Sequence, residues 1–344
     1  MVGIGIIGCG SITKWRHAPE YDGNKNAKIQ GFYDPISDRA REMTSRYGGK
    51  IYNTVEEMLA DPIIEAVSVC TANSYHAPLS IQALKAGKHV LCEKPMATSV
   101  EDAEAMIAAA KEAGKYLMIG HNQRLVEAHK KAKKILASGE LGKVITFSTN
   151  FSHAGPELWS ADKSAKTWFF NKKDAFMGAM GDLGIHKADL IRWLIGDEIK
   201  EVKAYVTTLD KKGPDGKLIE IDDNAICLLQ SRTGIIGTLT SSWTNYGNEN
   251  NSTVLYCTEG TMKIYDNPDF PLEIVKKDGE KIYYKIGGIQ TNASQTKSGI
   301  IDQFVASIEA GTSPEISGEE GLAALRIIFA CFESSAKGDK VVLE

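Results

Sequence analysis

Three side chains in this sequence have the types and the spacing needed to move a proton on or off a hydroxyl group. Lys94 follows the apolar run 89–92 within the segment EKP, and Asp182 and His186 lie four residues apart, a spacing that puts two side chains on one helical face. Histidine is a natural base for an alcohol proton near neutral pH. A fixed lysine ammonium can stabilise the alkoxide that develops as a hydride leaves. The set indicates redox chemistry at an alcohol carbon.

Each of these residues also has a simpler interpretation. Lys94 could be a solvated lysine at a strand end, although the apolar run before it and Pro95 after it favour a fixed position. A histidine in an apolar helix is more often a hydrogen-bonded core residue, and Asp182 with His186 could be two metal ligands. Because the sequence places no third ligand nearby, we expect no metal.

The segment GCGSIT, residues 8–13, indicates a dinucleotide site. Gly8 and Gly10 form a G-x-G pattern between a buried strand and a helix. In this context the first glycine permits a tight turn, the second lets the backbone approach a pyrophosphate, and the helix N-terminus offers free N–H groups. Thr13 stands where the third glycine is expected, so the pattern is incomplete.

Asp34 ends the second predicted strand, where a carboxylate can bind both ribose hydroxyls of NAD and repel a 2′-phosphate. Two alternatives remain open. Asp34 could cap the next helix, with Pro35 at its first position. Ser37 and Arg39 lie close enough in the sequence that NADP is not excluded.

Polar residues also follow the third and fourth main strands. Asn73 and His76, in TANSYHAP, could contact the cofactor or cap the helix that begins at about His76, and we favour capping for His76. Glu93 could orient the amine of Lys94 or bind the nicotinamide ribose. These loops should meet at the carboxyl edge of a parallel sheet, where ligands bind in open α/β folds.

The first third of the chain predicts such a sheet. Apolar runs at 3–8, 28–34, 65–71, 89–94 and 116–121 read as strands, and a weaker edge strand is predicted at "KIYN". Helices alternate with them, which implies parallel strands with right-handed crossovers. The clearest helix, 100–113, has Ser99 as its cap and Gly114 as its stop.

From about residue 143 the pattern changes to a series of strands with alternating residues, separated by turns. This predicts an open, largely antiparallel sheet with one covered face. Two helices, around 299–310 and 319–336, close the chain. The boundary near 120–125 shows no low-complexity linker.

Composition limits the partners. The 344 residues suit two domains, and the net charge of −4 provides no basic field for nucleic acid or an anionic membrane. No apolar run is long enough for a membrane helix, and the N-terminus enters a strand without a secretion signal. The six scattered cysteines predict reduced thiols in a cytoplasmic protein.

The ordered motifs of the chain resemble those of the Gfo/Idh/MocA oxidoreductases, a family that includes inositol dehydrogenases, glucose-fructose oxidoreductase and many sugar dehydrogenases. The matching segments run nearly from end to end: IGCGSITKWRH, TANSYHAPLSIQALKAGKHVLCEKPMA, GHNQR, SGELGKV, GDLGIHKADLIRWLIG, CTEGTMKIY and GEEGLAALRIIFACFESSAKGDKVVL. In order, they are far more specific than the G-x-G pattern alone.

The resemblance implies an α/β fold. It comprises a Rossmann domain over 1–122 and an α+β domain over 123–344 with a large, mostly antiparallel sheet, and the terminal helices could pack on the first domain. It also implies hydride transfer between NAD and a secondary hydroxyl of a sugar or cyclitol. His186 would be the acid/base, Lys94 would polarise the same oxygen, and Asp182 would bind substrate and steady His186. Trp168 would line the sugar site. The implied cofactor contacts are Gly8, Gly10, Ser11, Ile12, Asp34, Thr71, Asn73, His76, Glu93, Lys94 and Asn122.

Two departures and two alternatives accompany the resemblance. Thr13 replaces a small residue, and alanine in GAMGD stands where relatives often have glycine, so the local shape could differ. Some relatives hydrolyse glycosides by transient oxidation with retained NAD, and a non-catalytic NAD(H) sensor is a third hypothesis. Since many members associate through the C-terminal sheet, we expect a homodimer or homotetramer.

Overall fold

In a computed structural model, residues 1–291 and 297–343 are described, and the chain forms two compact units. The first unit contains Met1–His121, Lys173–Phe176 and Lys297–Leu322, and the second contains the other described residues. The first unit therefore takes up a piece of chain from near the C-terminus.

The first unit is built on a six-stranded parallel sheet. Its strands are β1 (Val2–Ile7), β2 (Ala27–Tyr33), β3 (Lys50–Ile51), β4 (Ala66–Val69), β5 (His89–Cys92) and β6 (Leu117–Ile119). Their order is β3-β2-β1-β4-β5-β6, with every pairing parallel. This is the Rossmann order. The predicted parallel sheet and its short edge strand are confirmed.

The α-helices of the chain alternate with the strands in the first unit and are fewer in the second. They are α1 (Ala18–Asp22), α2 (Ser37–Tyr47), α3 (Val55–Ala60), α4 (His76–Lys85), α5 (Val100–Ala113), α6 (Glu127–Ser138), α7 (Lys172–Ala175), α8 (Ile185–Ile195), α9 (Ile300–Ala310) and α10 (Gly318–Lys337). Two π-helical turns, Thr13–His17 and Met180–Gly184, precede α1 and α8. Short 3-10 turns cover Asn73–Tyr75, Asn122–Leu125, Pro156–Leu158 and Trp168–Phe170.

The start and stop signals of α5 are confirmed. Ser99 has extended backbone, and its hydroxyl accepts a hydrogen bond of 3.0 Å from the Asp102 N–H. Gly114 ends the helix in the left-handed conformation with φ of 61°. Local side-chain chemistry was sufficient here because both signals act within a few residues.

The second unit is built on a nine-stranded sheet. Its strands are β7 (Val144–Ser152), β8 (Ile199–Thr207), β9 (Asn224–Ser231), β10 (Ile236–Ser242), β11 (Thr253–Cys257), β12 (Gly260–Ile264), β13 (Leu272–Lys276), β14 (Lys281–Tyr284) and β15 (Val341–Val342). The order is β14-β13-β12-β11-β7-β10-β9-β8-β15. Within this sheet, among the residues that the structure describes, only the β7–β10 pair is parallel. The predicted, mostly antiparallel sheet is confirmed.

One face of this sheet is buried. Along β7, Phe147, Thr149 and Phe151 are buried and alternate with more exposed residues, as a half-covered strand requires. This covered face packs against α8 and the π-helical turn before it.

All six cysteines are free thiols, as predicted. Within 1–291 and 297–343, no helix is both long and apolar enough to cross a membrane.

Candidate active site

The loop after β1 has the conformation that its first glycine was expected to permit. Gly8 has φ of +93°, and a Cβ atom there would lie 2.5 Å from the carbonyl oxygen of Cys70. Only glycine fits both constraints. A Cβ on Gly10, in contrast, would meet no atom within 4 Å. Open space beside Gly10 is what a pyrophosphate needs in order to approach the backbone.

Thr13 has a structural role in this loop. It is buried, and its hydroxyl donates a hydrogen bond of 2.6 Å to the Gly8 carbonyl. Ser11 and Ile12 are half-buried and lead into the π-helical turn. The residue that replaces the third glycine therefore closes the loop with its own side chain.

Asp34 directly follows β2 and is 8% exposed. Its carboxylate accepts hydrogen bonds of 2.8 Å from the Cys9 N–H and the Ile36 N–H. Helix α2 begins at Ser37 without a side-chain cap. The interpretation of Asp34 as a helix cap is therefore wrong, because its carboxylate joins two loops instead. A carboxylate has about four lone-pair sites, so Asp34 can still accept the two hydroxyls of a ribose.

The loop after β4 is held by side-chain bonds within the first unit. The Asn73 side-chain amide donates to the Ala175 carbonyl at 2.9 Å, and the Thr71 hydroxyl donates to the Ala72 carbonyl at 3.3 Å. The two ring nitrogens of His76 lie 2.7 Å from the Pro95 carbonyl oxygen and 3.0 Å from that of Thr71. No side chain caps α4. The capping interpretation of His76 is wrong, because its ring joins this loop to the EKP turn.

The EKP turn follows β5, and the side chain of its glutamate, Glu93, is buried. Glu93 is 5% exposed, and its Oε1 lies 2.8 Å from Nε2 of His17. The backbone N–H of Lys94 donates to the Glu93 Oε2 at 3.2 Å, while Lys94 itself is half-buried. The carboxylate of Glu93 therefore contacts the backbone of Lys94.

Glu93 is held in its ionised form. Burial alone would raise its pKa, but the hydrogen bond and charge of His17, with the charges of Arg16 and Lys94, outweigh burial and hold the pKa of Glu93 well below its usual range. An Arg16 nitrogen lies 3.7 Å from Glu93 Oε1. A buried charge with such partners is expected to be fixed in place.

In the second unit, Asp182 and His186 lie where a π-helical turn passes into α8. Asp182 belongs to Met180–Gly184, and His186 is the second residue of α8. Asp182 is 8% and His186 is 7% exposed. Their spacing of four thus spans a change of helix geometry that the sequence did not indicate, and π-helical turns often occur at functional sites.

The π-helical turn is anchored by Asp222. Its carboxylate accepts hydrogen bonds of 2.7 Å from the Gly178 N–H and the Met180 N–H. A Cβ on Gly178 would lie 1.7 Å from the Asp222 carbonyl oxygen, so this position requires glycine. Ala179, which stands between Gly178 and Met180 in the sequence, is fully buried. The segment GAMGD therefore depends on Asp222, which the sequence analysis did not single out.

Two side chains that the sequence analysis missed contact Asp182. The indole N–H of Trp243 donates to Asp182 Oδ2 at 3.1 Å, and Nε2 of His153 lies 3.7 Å from the same oxygen. Since the Gly155 N–H donates to Nδ1 of His153 at 3.0 Å, the ring proton is assigned to Nε2, which faces Asp182. The available signal was position: His153 continues the buried alternation of Phe151 just beyond β7.

Aromatic rings surround this acid–histidine pair. Phe151 lies 5.9 Å from His186 and Trp159 lies 6.0 Å from His153, measured between ring centroids. Trp168, predicted to line a sugar site, is half-buried in a 3-10 turn and stacks on Phe169 at 3.9 Å. Such rings offer apolar faces beside the polar groups, as ligand sites usually do.

Helix α8 is fixed by a buried ion pair. The Arg124 guanidinium, which follows β6, donates from Nε to Asp189 Oδ2 at 2.8 Å and from a terminal nitrogen to Oδ1 at 2.5 Å. Both side chains are at least 97% buried. This two-bond pairing sets the rotation of the helix that carries His186. Asn122, predicted to contact the cofactor, donates its side-chain amide to Gln290 at 2.8 Å.

Lys187, next to His186, is a fully buried amine that the sequence analysis did not single out. Its Nζ donates to the Asn251 carbonyl at 3.0 Å and to the Thr253 hydroxyl at 3.3 Å. Burial lowers its pKa to about 7, although the charge of Glu249 opposes the shift.

The alternative that Asp182 and His186 bind a metal finds no third ligand. Among the residues that the structure describes, no group of three or more His, Cys, Asp or Glu side chains could hold a metal ion.

Comparison with known proteins relates these features to a family. The sequence model of an oxidoreductase family with an NAD-binding Rossmann fold, GFO/IDH/MocA, matches residues 2–121, and that of the GFO/IDH/MocA C-terminal domain matches residues 129–263. The chain is 27% identical to myo-inositol 2-dehydrogenase of Thermotoga maritima over 349 residues, covering 99% of this chain and 98% of that protein. It is 31% identical to levoglucosan dehydrogenase of Pseudarthrobacter phenanthrenivorans over 225 residues, covering 60% of this chain and 56% of that protein.

Solved structures agree with the sequence comparison. Levoglucosan dehydrogenase in complex with NADH and levoglucosan matches with a TM-score of 0.86 and 26% identity over 99% of both chains. Aldose-aldose oxidoreductase from Caulobacter crescentus, complexed with glycerol, matches with a TM-score of 0.85 and 27% identity over 99% of both chains. Family matches in both parts of the chain and the G-x-G loop at β1 lead to one conclusion. This chain belongs to the Gfo/Idh/MocA family of NAD-binding oxidoreductases.

Proposed function

We propose that this oxidoreductase transfers a hydride between NAD and a secondary hydroxyl, or the corresponding ketone, of a sugar or cyclitol. The observation that carries the proposal is the buried pair of Asp182 and His186, set among aromatic rings in a chain of an NAD-binding family. Relatives named myo-inositol 2-dehydrogenase and levoglucosan dehydrogenase support a ring polyol as substrate.

The first unit has residues that fit a dinucleotide. Open space at Gly10 and the tight turn at Gly8 would admit the pyrophosphate, and the fixed carboxylate of Asp34 would accept the ribose hydroxyls. We also assign to the cofactor site Ser11, Ile12, Thr71, Asn73, His76, Glu93 and Lys94 of the first unit. Asn122, with which the second unit begins, is assigned to cofactor binding as well. Bound NAD would supply the hydride acceptor. Since Asp34 carries the negative charge expected to repel a 2′-phosphate, we propose NAD rather than NADP.

The proton would be handled by the chain's own residues. His186 takes the hydroxyl proton on its imidazole, and the Lys94 ammonium donates a hydrogen bond to the same oxygen as it becomes an alkoxide. Asp182 hydrogen-bonds the substrate, while Trp243 and His153 hold its carboxylate in place. Trp168 offers its ring to the apolar face of the substrate.

The test is a substrate screen with NAD and, separately, NADP. Inositols, aldoses, amino sugars and sugar phosphates are incubated with the wild type and with Lys94→Ala, and nicotinamide reduction is followed by absorbance. We expect NAD-dependent reduction with one substrate group that is lost in the variant. Silence across the panel despite NAD binding would contradict the proposal, and turnover without added NAD would favour hydrolysis with retained cofactor.

We further propose that the protein forms a homodimer or homotetramer through the outer face of the nine-stranded sheet. This face carries exposed apolar side chains, those of Tyr205, Ile226, Leu228, Ile236 and Tyr256, and Tyr205 and Ile226 are direct cross-strand neighbours. Apolar patches of this kind mark interaction surfaces. Light scattering should show an oligomer that Ile226→Glu dissociates and that Ala108→Glu, on the exposed side of α5 in the first unit, leaves intact. A monomeric wild type would contradict this.

A cytoplasmic location is also proposed. Its support is the set of six free thiols, five of them buried, which suits a reducing compartment. Cell fractionation should recover the protein with the cytosol, and recovery from an exported fraction would contradict this.

A further inference from the structure

A chain of buried polar groups lies behind the EKP turn, within the first unit. The Tyr21 hydroxyl lies 2.8 Å from the Ser68 hydroxyl, which lies 3.1 Å from Nδ1 of His17, and Nε2 of His17 lies 2.8 Å from Oε1 of Glu93. Tyr21, Ser68 and His17 are fully buried. They come from α1, β4 and the π-helical turn after the glycine loop, so the chain joins three elements to the end of β5.

The direction of the hydrogen bond between His17 and Glu93 follows from the chemistry of the carboxylate. An ionised carboxylate can only accept, so Nε2 of His17 donates to Glu93. The Ser68 hydroxyl can donate to Nδ1 of His17 or accept from it, and the bond from Nε2 to Glu93 forms in either case. Each of these buried groups has a hydrogen-bond partner, as buried polar networks require.

The other oxygen of Glu93 meets the backbone of the proposed catalytic lysine. Oε2 accepts the N–H of Lys94 at 3.2 Å. On the far side of the carboxylate, a Cβ on Gly120 would lie 3.0 Å from Oε2, so glycine leaves just enough room there. Glu93 is thus held between the His17 imidazole and the peptide from which the Lys94 side chain projects.

We propose that His17 is a positioning residue for hydride transfer, which holds the Glu93 carboxylate so that it fixes the peptide of Lys94 and therefore the aim of the ammonium group. The inference rests on the proposed function, in which Lys94 hydrogen-bonds the reacting oxygen. It assigns His17, a residue of the helical segment after the glycine loop, to substrate chemistry in addition to its place beside the cofactor loop. A misplacement of about 1 Å at a catalytic group can lower the rate about 100-fold.

The charge on Glu93 gives this role a distinctive signature. The titratable or charged groups that interact electrostatically with Glu93 are those of Arg16, His17, Cys70, His76, Cys92 and Lys94. Burial is the largest effect and raises the pKa of Glu93, while the hydrogen bond from His17 leads the effects that lower it. Without that bond the pKa of Glu93 rises. The carboxyl then takes up a proton as the pH falls, and the peptide N–H of Lys94 loses its ionised acceptor.

Two substitutions separate positioning from simple packing. In His17→Gln, the side-chain amide can reach the position of Nε2 and still donate to Glu93. In His17→Asn, the side chain is polar but too short to reach it. His89→Gln is the matched control, because His89 is the first residue of β5 and Glu93 follows the other end of that strand. Tyr21→Phe removes the far end of the chain and keeps its volume.

The experiment measures kcat and KM of each variant from about pH 5 to 9 with the substrate found in the screen, with NADH binding and melting temperature as folding controls. We expect His17→Asn to lower kcat about 10- to 100-fold, to leave the Kd of NADH within about threefold, and to add a fall in kcat at acid pH. His17→Gln should recover most of kcat without the acid fall, and His89→Gln should match the wild type. Tyr21→Phe should lower kcat by less than His17→Asn.

Each other outcome overturns the inference. His17→Asn with wild-type kcat and an unchanged pH profile would do so, and so would equal losses in His17→Asn and His17→Gln without an acid fall. If His17→Asn does not fold, His17→Gln and Tyr21→Phe decide, and wild-type behaviour of Tyr21→Phe with an impaired His17→Gln contradicts the proposed chain. A separate result tests the proposed function: full activity of Lys94→Ala in the substrate screen would contradict it.

Discussion

Asp34→Asn tests how the first unit selects its cofactor. The carboxylate of Asp34 is 8% exposed and is fixed by the N–H groups of Cys9 and Ile36, both at 2.8 Å. The substitution keeps the shape of the side chain but removes the negative charge. It also replaces one accepting oxygen by a donating amide.

The expected size of the effect follows from the lost charge. A hydrogen bond to a charged group contributes about 1.5–3 kcal/mol, so weaker acceptance of the ribose hydroxyls should raise the Kd of NADH about 10- to 150-fold. Two like charges about 4 Å apart near a protein surface repel by about 4 kcal/mol, so removal of the carboxylate charge should strengthen NADPH binding. Together, the ratio of the two Kd values should change by about 100-fold or more.

Fluorescence titration of NADH and NADPH measures both constants. Asp38→Asn is the control, because Asp38 is an exposed residue of α2 that pairs with Arg41. The melting temperature shows whether the lost backbone acceptor affects folding, at a cost of about 1–3 kcal/mol. An unchanged preference for NADH in a folded Asp34→Asn protein would refute the role given to Asp34.

Three further substitutions test other parts of the structure. Gly8→Ala should lower the melting temperature, because its Cβ would lie 2.5 Å from a carbonyl oxygen and the backbone there has a φ of +93°. Gly10→Ala should fold normally and lose affinity for NADH, because its Cβ would meet no protein atom within 4 Å. Equal melting temperatures of the two variants would contradict this. Trp243→Phe removes the N–H that Asp182 accepts and should lower kcat about 10-fold while NADH binding is kept; an unchanged kcat would remove Trp243 from the site. Lys187→Met should stabilise the protein most below pH 7. Because burial lowers the pKa of Lys187 from 10.5 to about 7, the wild type gains stability as the pH rises between these values. The advantage of the variant in pH-dependent melting should therefore shrink toward pH 10, and a constant difference would contradict burial as the cause.

The sheets were predictable because their signals are local. The apolar run of β1 and the alternation of β9 reflect burial on two faces or one, and each is visible within eight residues. Short β15 was not predicted, since two residues carry no periodicity and depend on β8, far away in the sequence.

The candidate site was predictable in its residue types but not in its partners. Lys94 and His186 were selected for their chemistry and their position after a strand or on a helix. The acids beside them are held by side chains from distant segments. Glu93, next to Lys94, is held by His17, which is 76 residues away. Asp182, four residues before His186, is held by Trp243, which is 61 residues away. No spacing rule connects such pairs, because only the folded sheet brings them into contact.

His76 and Asp34 show the same limit in another form. Asp34 precedes α2 and His76 is the first residue of α4, and local rules favour capping at such positions. In the structure each side chain instead bonds a neighbouring loop, Pro95 for His76 and Cys9 for Asp34. These partners are 19 and 25 residues away in the sequence, and nothing in the local sequence shows them.

Transfer of deuterium tests the proposed hydride transfer most directly. A substrate found in the screen is labelled at its carbinol carbon and incubated with NAD and the protein, with His186→Asn alongside. We predict that the label appears in the reduced nicotinamide, that the labelled substrate reacts more slowly, and that His186→Asn loses the transfer while it still binds NADH. Label released to solvent, or equal transfer by His186→Asn, would contradict the proposed chemistry.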